Sequence, residues 1–344
     1  ACLTAGDLHP SNSINSGGDV LPMNPQPIGI IPGDPNGIGP ELIAKLMTAH
    51  KDPNQPLVIF GDQHVFEMGA KHAGVSTDFL SASHVEYRPM ETISPADVSL
   101  AEVTEVAGRS TLLQMDAALN ACQAGDIGGF IFGPFNKAAM HMAGLGCEDE
   151  LHYMAKHLGF DGYICELNVM GTLFTTRVTS HIALKDVAQT ITEERILEAI
   201  DLAHSIVSRS GIEEPTISVC ALNPHAGDGG NFGREEIDVI APAVERARKA
   251  GMPVDGPWPS DTIFLRARDG RTNAVVTMYH DQGQIAMKLM GFERGVTVQG
   301  GLPFPVTTPA HGTAFDIVGR GVADIGATKA AYDLVCAMTR ETVV

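Results

Sequence analysis

From residue 27 onward, short apolar runs alternate with stretches in which apolar residues recur every three or four positions. The apolar runs are continuous, as expected for strands that helices cover on both faces. Helical periodicity begins near Pro40 and recurs at residues 63–73, 111–124 and 192–210. The strand candidates are PIGIIPG, PLVIFG, GGFIFGP, TISVCAL and AVVTMY. This alternation predicts an α/β protein with largely parallel strand pairing.

The segment 192–210 shows the clearest amphipathic pattern of the chain. Six apolar side chains fall on one helical face, namely Ile196, Ala199, Ile200, Ala203, Ile206 and Val207. Thr190 and Glu193 have the spacing of a capping box, which predicts that the helix begins beside Thr190.

The domain organisation must be read from loops, because the sequence has no internal repeat, low-complexity tract or long linker. Loops rich in Gly and Pro lie around residues 133–147 and 299–309. Two crossings at these loops predict a discontinuous first domain, residues 27–134 plus 300–344, with residues 135–299 inserted as a second domain. Residues 1–26 are rich in Ser, Asn, Gly and Pro, which predicts a poorly ordered extension.

Composition and charge narrow the classes of partner. Apolar residues make up 44% and charged residues 19% of the 344 residues, which is enough for buried cores. The net charge of −18 is spread along the chain and disfavours nucleic acid and anionic membrane surfaces as partners. No apolar run reaches the roughly 18 residues that span a bilayer. Six well-separated cysteines without a Cys-x-x-Cys pair predict reduced thiols in a cytoplasmic protein.

The stretch GDPNGIGPE, residues 33–41, forms a predicted turn from a strand into a helix. Its glycines permit close backbone approach, and the helix N-terminus favours an anion. The stretch is not a G-x-G-x-x-G motif and lacks the lysine of a P-loop. A tight corner between a strand and a helix accounts for it equally well.

Three histidines, His181, His225 and His280, each follow a predicted strand. Ligands bind open α/β sheets at the carboxyl ends of strands, so these imidazoles can converge around Zn²⁺ or a harder divalent ion. Asp261 and Asp281 are candidate ligands or acceptors that orient the imidazoles. One histidine among thirteen is more often an ordinary loop residue, and the shared position after strands is what favours a metal site.

Two further stretches suggest contacts to a substrate or cofactor. Asn136 and Lys137 open a helix after a buried strand and suit a carboxylate, phosphate or nicotinamide amide, although a surface lysine is the alternative. The stretch HGTAFDIVGRG, residues 311–321, places small residues where backbone can lie against a flat ring. Asp316 in it can accept hydrogen bonds from ribose hydroxyls and repel a 2′-phosphate. An ordinary Gly-rich loop is the alternative for this stretch.

Taken together, six motifs between Ile28 and Leu334 resemble the 4-hydroxythreonine-4-phosphate dehydrogenase family of pyridoxal phosphate biosynthesis. They are GDPNGIGPE, GPFNKAA, NPHAGDGG, FGREEID, YHDQG and HGTAFDIVGRG. The resemblance implies a two-domain α/β/α fold like that of isocitrate and isopropylmalate dehydrogenases, not a Rossmann domain. It also implies a homodimer with shared active sites, and NAD-linked, divalent-metal-dependent oxidation of a secondary alcohol in a hydroxy acid, with or without decarboxylation.

The resemblance assigns roles to individual residues and places the dinucleotide in the first domain and the metal in the second. The implied metal ligands, for Zn²⁺ first and Mg²⁺, Mn²⁺ or Co²⁺ as alternatives, are His181, His225 and His280. The catalytic candidates are Lys288, Asp261 and Asp281. The implied substrate contacts are Asn136, Lys137, Glu148, Asp149, Lys288 and Thr297. The NAD-binding candidates are His311, Gly312, Thr313, Asp316 and Ile317.

The chain departs from the family pattern where substrate is bound. Glu148 and Asp149 stand where biosynthetic members carry His and Thr, Thr297 replaces an asparagine, and Val306 replaces an arginine. These changes remove donors that a phosphate group needs. A catabolic dehydrogenase acting on an unphosphorylated hydroxy acid or a cis-dihydrodiol is therefore the main alternative. Two more functions stay open, a phosphate acyltransferase-like enzyme and a cofactor-free binding homologue.

Overall fold

The computed structural model describes residues 25–50, 52–291 and 294–340. The extension predicted for residues 1–26 lies outside the described residues, apart from its last two positions. Eleven strands form one sheet in the order β3-β2-β1-β4-β11-β10-β5-β6-β9-β7-β8. The strands are β1 Ile28–Ile31, β2 Leu57–Gly61, β3 Val85–Pro89, β4 Gly129–Phe132, β5 Cys165–Met170, β6 Leu173–Arg177, β7 Ile217–Cys220, β8 Val254–Trp258, β9 Ala274–Thr277, β10 Val296–Gly300 and β11 Val306–Pro309.

Helices cover the sheet on both faces, as the continuous apolar strands predict. In β1, Ile28 and Ile30 pack in one core cluster with helices on their side, whereas Ile31 packs in a second cluster. The helices are α1 Gly39–Ala49, α2 Gln63–Ala73, α3 Glu105–Ala124, α4 Lys137–Met142, α5 Glu150–Leu158, α6 Val187–Thr190, α7 Glu193–Arg209, α8 Ala241–Lys249, α9 Ser260–Arg268, α10 His280–Leu289 and α11 Gly326–Thr339.

Helix boundaries follow the sequence pattern where caps are unambiguous and depart from it elsewhere. Helix α2 has the predicted bounds, but α3 begins at Glu105 rather than 111 because the Thr104 side chain caps it. The capping box predicted from Thr190 is wrong. Thr190 ends α6, and the hydroxyl of Thr192 caps α7 by accepting a hydrogen bond from the Arg195 amide at 3.2 Å.

The sheet is largely parallel, as predicted, but its centre is antiparallel. Strand β10 runs antiparallel to both β11 and β5, and β5 runs antiparallel to β6. Strands β5 and β6 are joined by a two-residue hairpin in which Gly171 takes a φ of 59°, as such tight turns require. Two parallel blocks, β3-β2-β1-β4-β11 and β6-β9-β7-β8, therefore meet at β10 and β5.

The antiparallel centre presents polar side chains on one face. Thr297 in β10 pairs with Asn168 in β5 on one side and with Thr308 in β11 on the other. Glu166 lies two residues before Asn168, on the same face of β5. This polar strip forms the floor of a cleft over the central strands.

Two expectations from the sequence concern the cysteines and membrane-spanning segments. The five cysteines that the structure describes are all free thiols. Among the helices in the described part of the chain, none combines the length and apolar character needed to cross a membrane.

Candidate active-site cleft

A cleft of about 320 Å³ lies over the polar strip of the central strands. Glu166, Asn168 and Thr308 are among its lining residues. It also brings together six of the site residues predicted from the sequence, which are Lys137, His280, Lys288, Thr297, His311 and Gly312. A neighbouring cavity shares Glu166 and contains Glu148, Asp149 and His181. Residues from both predicted domains therefore face one continuous region.

His181 and His280 lie side by side, with ring centres 5.7 Å apart. Their approach follows from the sheet, because β6 and β9 are parallel neighbours with Arg177 opposite Thr277. After the strands end, Thr179 keeps the two chain segments together: its amide and its hydroxyl both donate to the carbonyl of Met278, at 3.1 and 2.7 Å. His181 lies four residues after Arg177, and His280 lies three residues after Thr277.

Each of these imidazoles contacts a carboxylate through Nδ1. The distance is 2.5 Å from His181 to Glu148 and 2.7 Å from His280 to Asp281. A carboxylate on one ring nitrogen of a histidine leaves the other for a metal ion. Two imidazoles bound to one tetrahedral Zn²⁺ have ring centres roughly 5 Å apart. The distance between the ring centres and the carboxylates on Nδ1 suit a divalent ion between His181 and His280. The ligand atoms that lie within 4.8 Å of one another belong to Glu148, Asp149 and His181.

His225 is not part of this pair within one chain. It lies exposed on the turn Pro224–Gly230 after β7 and packs against Phe232, with ring centres 6.2 Å apart. The turn is left-handed at several non-glycine positions, with φ of 55° at His225 and 44° at Asp228. Such backbone costs about 1–2 kcal/mol per residue, so the surrounding structure must hold it.

Glu236 is the residue that holds this turn. Its buried carboxylate accepts hydrogen bonds from the amides of Leu222 and Asn223, at 2.8 and 2.7 Å, and from the Asn223 side chain at 2.9 Å. In the sequence, the motif FGREEID pointed only to a family resemblance. In the structure, its second glutamate shapes the loop that carries His225.

Asp261 and Asp281, the two predicted acidic candidates, differ in position. Asp281 contacts His280, as expected. Asp261 is exposed in the first turn of α9, a helix that contacts the turn Pro224–Gly230, and it does not line the cleft. Its position associates it with His225 rather than with the histidine pair.

Lys137 and Asn136 open α4, as predicted. The Asn136 side-chain oxygen caps the helix by accepting from the Ala139 amide at 3.0 Å. Lys137 lies 3.3 Å from Glu150. Burial alone favours the neutral amine, but the carboxylates of Glu150 and Glu166 raise the pKa of Lys137 above its ordinary value. Lys137 is therefore a paired cation, and less available to a ligand than the sequence suggested.

Lys288 is the less constrained cation of the cleft. It lies on α10, two helical turns after His280, and its side chain is exposed. No carboxylate within residues 25–50, 52–291 and 294–340 forms a salt bridge with it. Arg177, by contrast, is only 4% exposed and is committed to Glu166 at 2.9 Å. Lys288 is therefore a cation of the cleft that has no carboxylate partner in the described part of the chain.

The predicted cofactor loop is held by helix α1. The Ile38 amide donates to the Thr313 carbonyl at 3.1 Å, and Lys45 donates to the carbonyls of Gly321 and Ala323 at 2.9 and 2.8 Å. Glu41 is buried and accepts from the Ala323 amide at 2.9 Å. A clamp formed by Ile38, Glu41 and Lys45 thus holds the loop in place, and the first two residues belong to the stretch GDPNGIGPE.

The other predicted cofactor residues lie on the same loop. Thr313 is buried, and a Cβ at Gly37 would lie 2.8 Å from its Cβ, so only glycine permits this approach. Ile317 packs with Ile38 and Leu42 in a small apolar cluster. Asp316 is exposed, so its carboxylate is accessible from solvent.

Asp34 is a buried acid that the sequence did not single out. It is 1% exposed, and one carboxyl oxygen accepts from the Asn36 amide at 2.8 Å. The other oxygen has no partner among the described residues. Burial raises the pKa of Asp34 to about 6. The only sign of this buried acid in the sequence is its position shortly after an apolar strand.

Comparison with known proteins gives a consistent assignment. The family model described as "Pyridoxal phosphate biosynthetic protein PdxA" matches residues 52–335. A Pseudomonas aeruginosa relative named as a 4-hydroxythreonine-4-phosphate dehydrogenase is 47% identical over 326 residues, which cover 91% of this chain and 97% of the relative. The crystal structure of 4-hydroxythreonine-4-phosphate dehydrogenase from Klebsiella pneumoniae superposes with a TM-score of 0.79 at 31% identity, over 92% of this chain and 99% of that one.

Two solved structures of lower sequence identity are also similar to this chain. A terephthalate 1,2-cis-dihydrodiol dehydrogenase from Burkholderia xenovorans matches with a TM-score of 0.68 at 28% identity, over 91% of this chain and 98% of that one. A β-decarboxylating dehydrogenase from Thermococcus kodakarensis matches with a TM-score of 0.51 at 14% identity, over 89% of this chain and 81% of that one, which is a likeness of fold alone. The predicted fold class is confirmed.

Proposed function

Because the chain belongs to the pyridoxal phosphate biosynthetic protein PdxA family, as its motifs predicted, we propose that it is a divalent-metal-dependent, NAD-linked dehydrogenase. Its substrate is a hydroxy acid phosphate whose secondary alcohol is oxidised. One observation carries the proposal: two imidazoles, His181 and His280, lie 5.7 Å apart, each with a carboxylate on Nδ1, beside a cleft that also contains Lys288 and His311.

His181 and His280 would hold the metal ion, for which Zn²⁺ suits the imidazole donors best and Mg²⁺, Mn²⁺ or Co²⁺ are alternatives. When bound, a divalent ion supplies a Lewis acid that lowers the pKa of a substrate hydroxyl. Asp281 keeps His280 oriented. His225 contributes from a second copy, which accounts for its separation from the pair within one chain.

Different residues of the cleft would hold the cofactor and the substrate. His311, Gly312 and Thr313 would hold NAD, and the carboxylate of Asp316 would accept hydrogen bonds from its ribose hydroxyls and disfavour NADP. Lys288 would neutralise the substrate anion, and Lys137 and Thr297 line the cleft beside it. Asn136, which caps α4 next to Lys137, is the remaining predicted contact. The proton released from the alcohol would pass to Asp281, or to Asp261 if the second copy brings it to the cleft together with His225. Lys288 could accept it only in its neutral form, in which it would not supply charge to the anion. The predicted division of the chain, residues 27–134 plus 300–344 and residues 135–299, then separates the dinucleotide side from the metal side.

A homodimer with shared active sites is supported by apolar side chains around the histidines. Large apolar side chains of the described chain are exposed on the segments that carry the three histidines, which is unfavourable in an isolated chain. They are Ile182 and Leu184 after β6, Phe232 near His225, and Ile285 and Leu289 on α10. A second copy would bury these side chains and bring its His225 to the pair.

A second candidate substrate class is an unphosphorylated hydroxy acid or a cis-dihydrodiol. It is favoured by Glu148 and Asp149, whose carboxylates repel a phosphate, and by Val306, which is fully buried and offers no donor. The similarity to a terephthalate 1,2-cis-dihydrodiol dehydrogenase points in the same direction. A phosphate acyltransferase would use neither nicotinamide nor the histidine pair.

The test is NADH formation by the full chain with a panel of phosphorylated and unphosphorylated four-carbon hydroxy acids and cyclic diols. We expect one class to be oxidised with NAD⁺, with loss of activity in a chelator and recovery with a divalent metal. His280→Ala should abolish turnover and lower metal content. The control His204→Ala changes a histidine of α7 that lines neither cavity, and it should change neither quantity. Unchanged turnover and metal content in His280→Ala would rule out the proposal.

A further inference from the structure

We propose that Glu148 is a positioning residue of the metal site, which fixes the Nδ1 side of His181 so that Nε2 is presented to the ion. The inference rests on the proposed function, in which His181 is a metal ligand. It concerns a residue of this chain that departs from the family pattern, where a histidine is expected.

The geometry begins with the frame that carries Glu148. Asp149, the next residue, is buried and caps helix α5 by accepting a hydrogen bond from the His152 amide at 2.9 Å. The same carboxylate oxygen contacts Nδ1 of His152 at 2.6 Å. Because the cap fixes the backbone immediately after Glu148, the Glu148 side chain projects from an anchored position.

The imidazole is carried by an equally fixed segment. The Thr179 hydroxyl donates to the Met278 carbonyl, and the Ser180 hydroxyl accepts from Arg177 at 2.8 Å. Arg177 is itself held by Glu166. His181 follows directly, so the contact of 2.5 Å between Glu148 and His181 joins two anchored segments from different parts of the fold.

The neighbouring histidine has the same arrangement, which is why the contact has meaning beyond a surface ion pair. Asp281 contacts Nδ1 of His280 just as Glu148 contacts Nδ1 of His181. A carboxylate at Nδ1 fixes the tautomer and the ring orientation of a histidine that binds metal through Nε2. The two carboxylates also offset the charge of a divalent ion.

A direct ligand role for Glu148 is the competing arrangement, since Glu148, Asp149 and His181 offer ligand atoms within 4.8 Å of one another. The two roles differ in what happens when His181 is removed. A positioning residue loses its effect together with the imidazole, whereas a direct ligand retains it.

The experiment is a Co²⁺ titration of the metal-free full chain, followed by visible absorption and competed with Zn²⁺. We expect Glu148→Ala to weaken binding about 10- to 100-fold, the usual loss when such a partner of a ligand is removed. Glu148→Gln should recover part of the loss, because its amide oxygen still accepts from Nδ1. In a His181→Ala background, Glu148→Ala should cause no further loss.

The matched control is Glu214→Gln, an exposed carboxylate in the turn before β7, which should bind Co²⁺ as the unsubstituted chain does. Glu148 is itself half exposed, and thermal unfolding of each apo-variant verifies its fold. Wild-type affinity in Glu148→Ala, or a full further loss in the His181→Ala background, overturns the inference while leaving the proposed function intact. Wild-type affinity in His280→Ala overturns the proposed function and the inference with it.

Discussion

The buried carboxylate of Glu41 accepts a hydrogen bond at 2.9 Å from the amide of Ala323, a residue 282 positions further along the chain. Lys45, one turn after Glu41, pairs with the same carboxylate and donates to the Ala323 carbonyl. Helix α1 therefore determines where the loop predicted to bind NAD lies. The contact links the first motif of the sequence to the last.

Removal of this clamp should affect both stability and cofactor binding. Glu41→Ala leaves Lys45 without its partner in a largely buried site, so we expect a loss of about 3 kcal/mol in the free energy of unfolding. The dissociation constant for NAD⁺, measured by calorimetry, should rise. Glu105→Ala, which removes an exposed pair with Arg109, should change stability by less than about 1 kcal/mol. Equal effects of both variants would contradict the clamp.

Asp34 makes stability depend on pH. The unfolded carboxyl ionises near 3.8 and the folded one near 6, so the folded state binds more protons in between and stability falls as pH rises through this window. Asp34→Asn keeps the acceptor for the Asn36 amide and removes the buried charge. It should be more stable than the natural chain by about 3 kcal/mol at pH 7.5 and no more stable at pH 3.5.

Urea unfolding at the two pH values measures this difference. Asp201→Asn, an exposed acid on α7, is the control and should show no comparable change between the two pH values. An Asp34→Asn variant that is less stable at pH 7.5 would mean that the ionised carboxylate is needed in the fold.

The ion pair of Arg177 with Glu166 should be the one in the floor of the cleft whose loss lowers stability most. Arg177 is 4% exposed, and Arg177→Met leaves Glu166 as a poorly compensated charge, so we expect a loss of about 3–5 kcal/mol in unfolding experiments. Arg246→Met removes a pair with Glu194 in which both side chains are more than 60% exposed, and should be nearly neutral. A neutral Arg177→Met would show that the pair contributes nothing to the floor.

Lys288 should dominate substrate capture. Lys288→Met removes a charge-assisted contact to the substrate anion, which is expected to lower kcat/KM about 10- to 100-fold in NADH-formation assays. Lys249→Met, at an exposed position on α8, should leave kcat/KM unchanged. If Lys288→Met has the kinetics of the control, the anion binds elsewhere in the cleft.

Much of the fold follows from local pattern. The continuous apolar strands predicted a sheet covered on both faces. Helix α2 has the predicted bounds, and it ends at Gly74, which adopts the left-handed conformation and whose amide donates to the last turn. The reversal at β10 and β5 could not be predicted, since strand direction there depends on pairing across the sheet. The false cap at Thr190 arose because two threonines stand two residues apart and only the folded backbone selects Thr192.

The candidate site was predictable in its residue types and less so in its connections. The position of His181 and His280 after strands was visible in the sequence, because both strands end in polar segments. The contact of Glu148 with His181 was not visible, since it joins segments 33 positions apart that meet only in the folded chain. Glu41 and Asp34 were missed because burial of a carboxylate cannot be read from its neighbours in sequence.

Anomalous X-ray diffraction from crystals of the full chain grown with Zn²⁺ would locate the proposed metal ion. We predict one strong peak between His181 and His280, about 2.1 Å from a ring nitrogen of each, with the partner's His225 completing the site. A zinc peak at another position, with no density between these two rings, would contradict the assignment of the histidine pair to the metal.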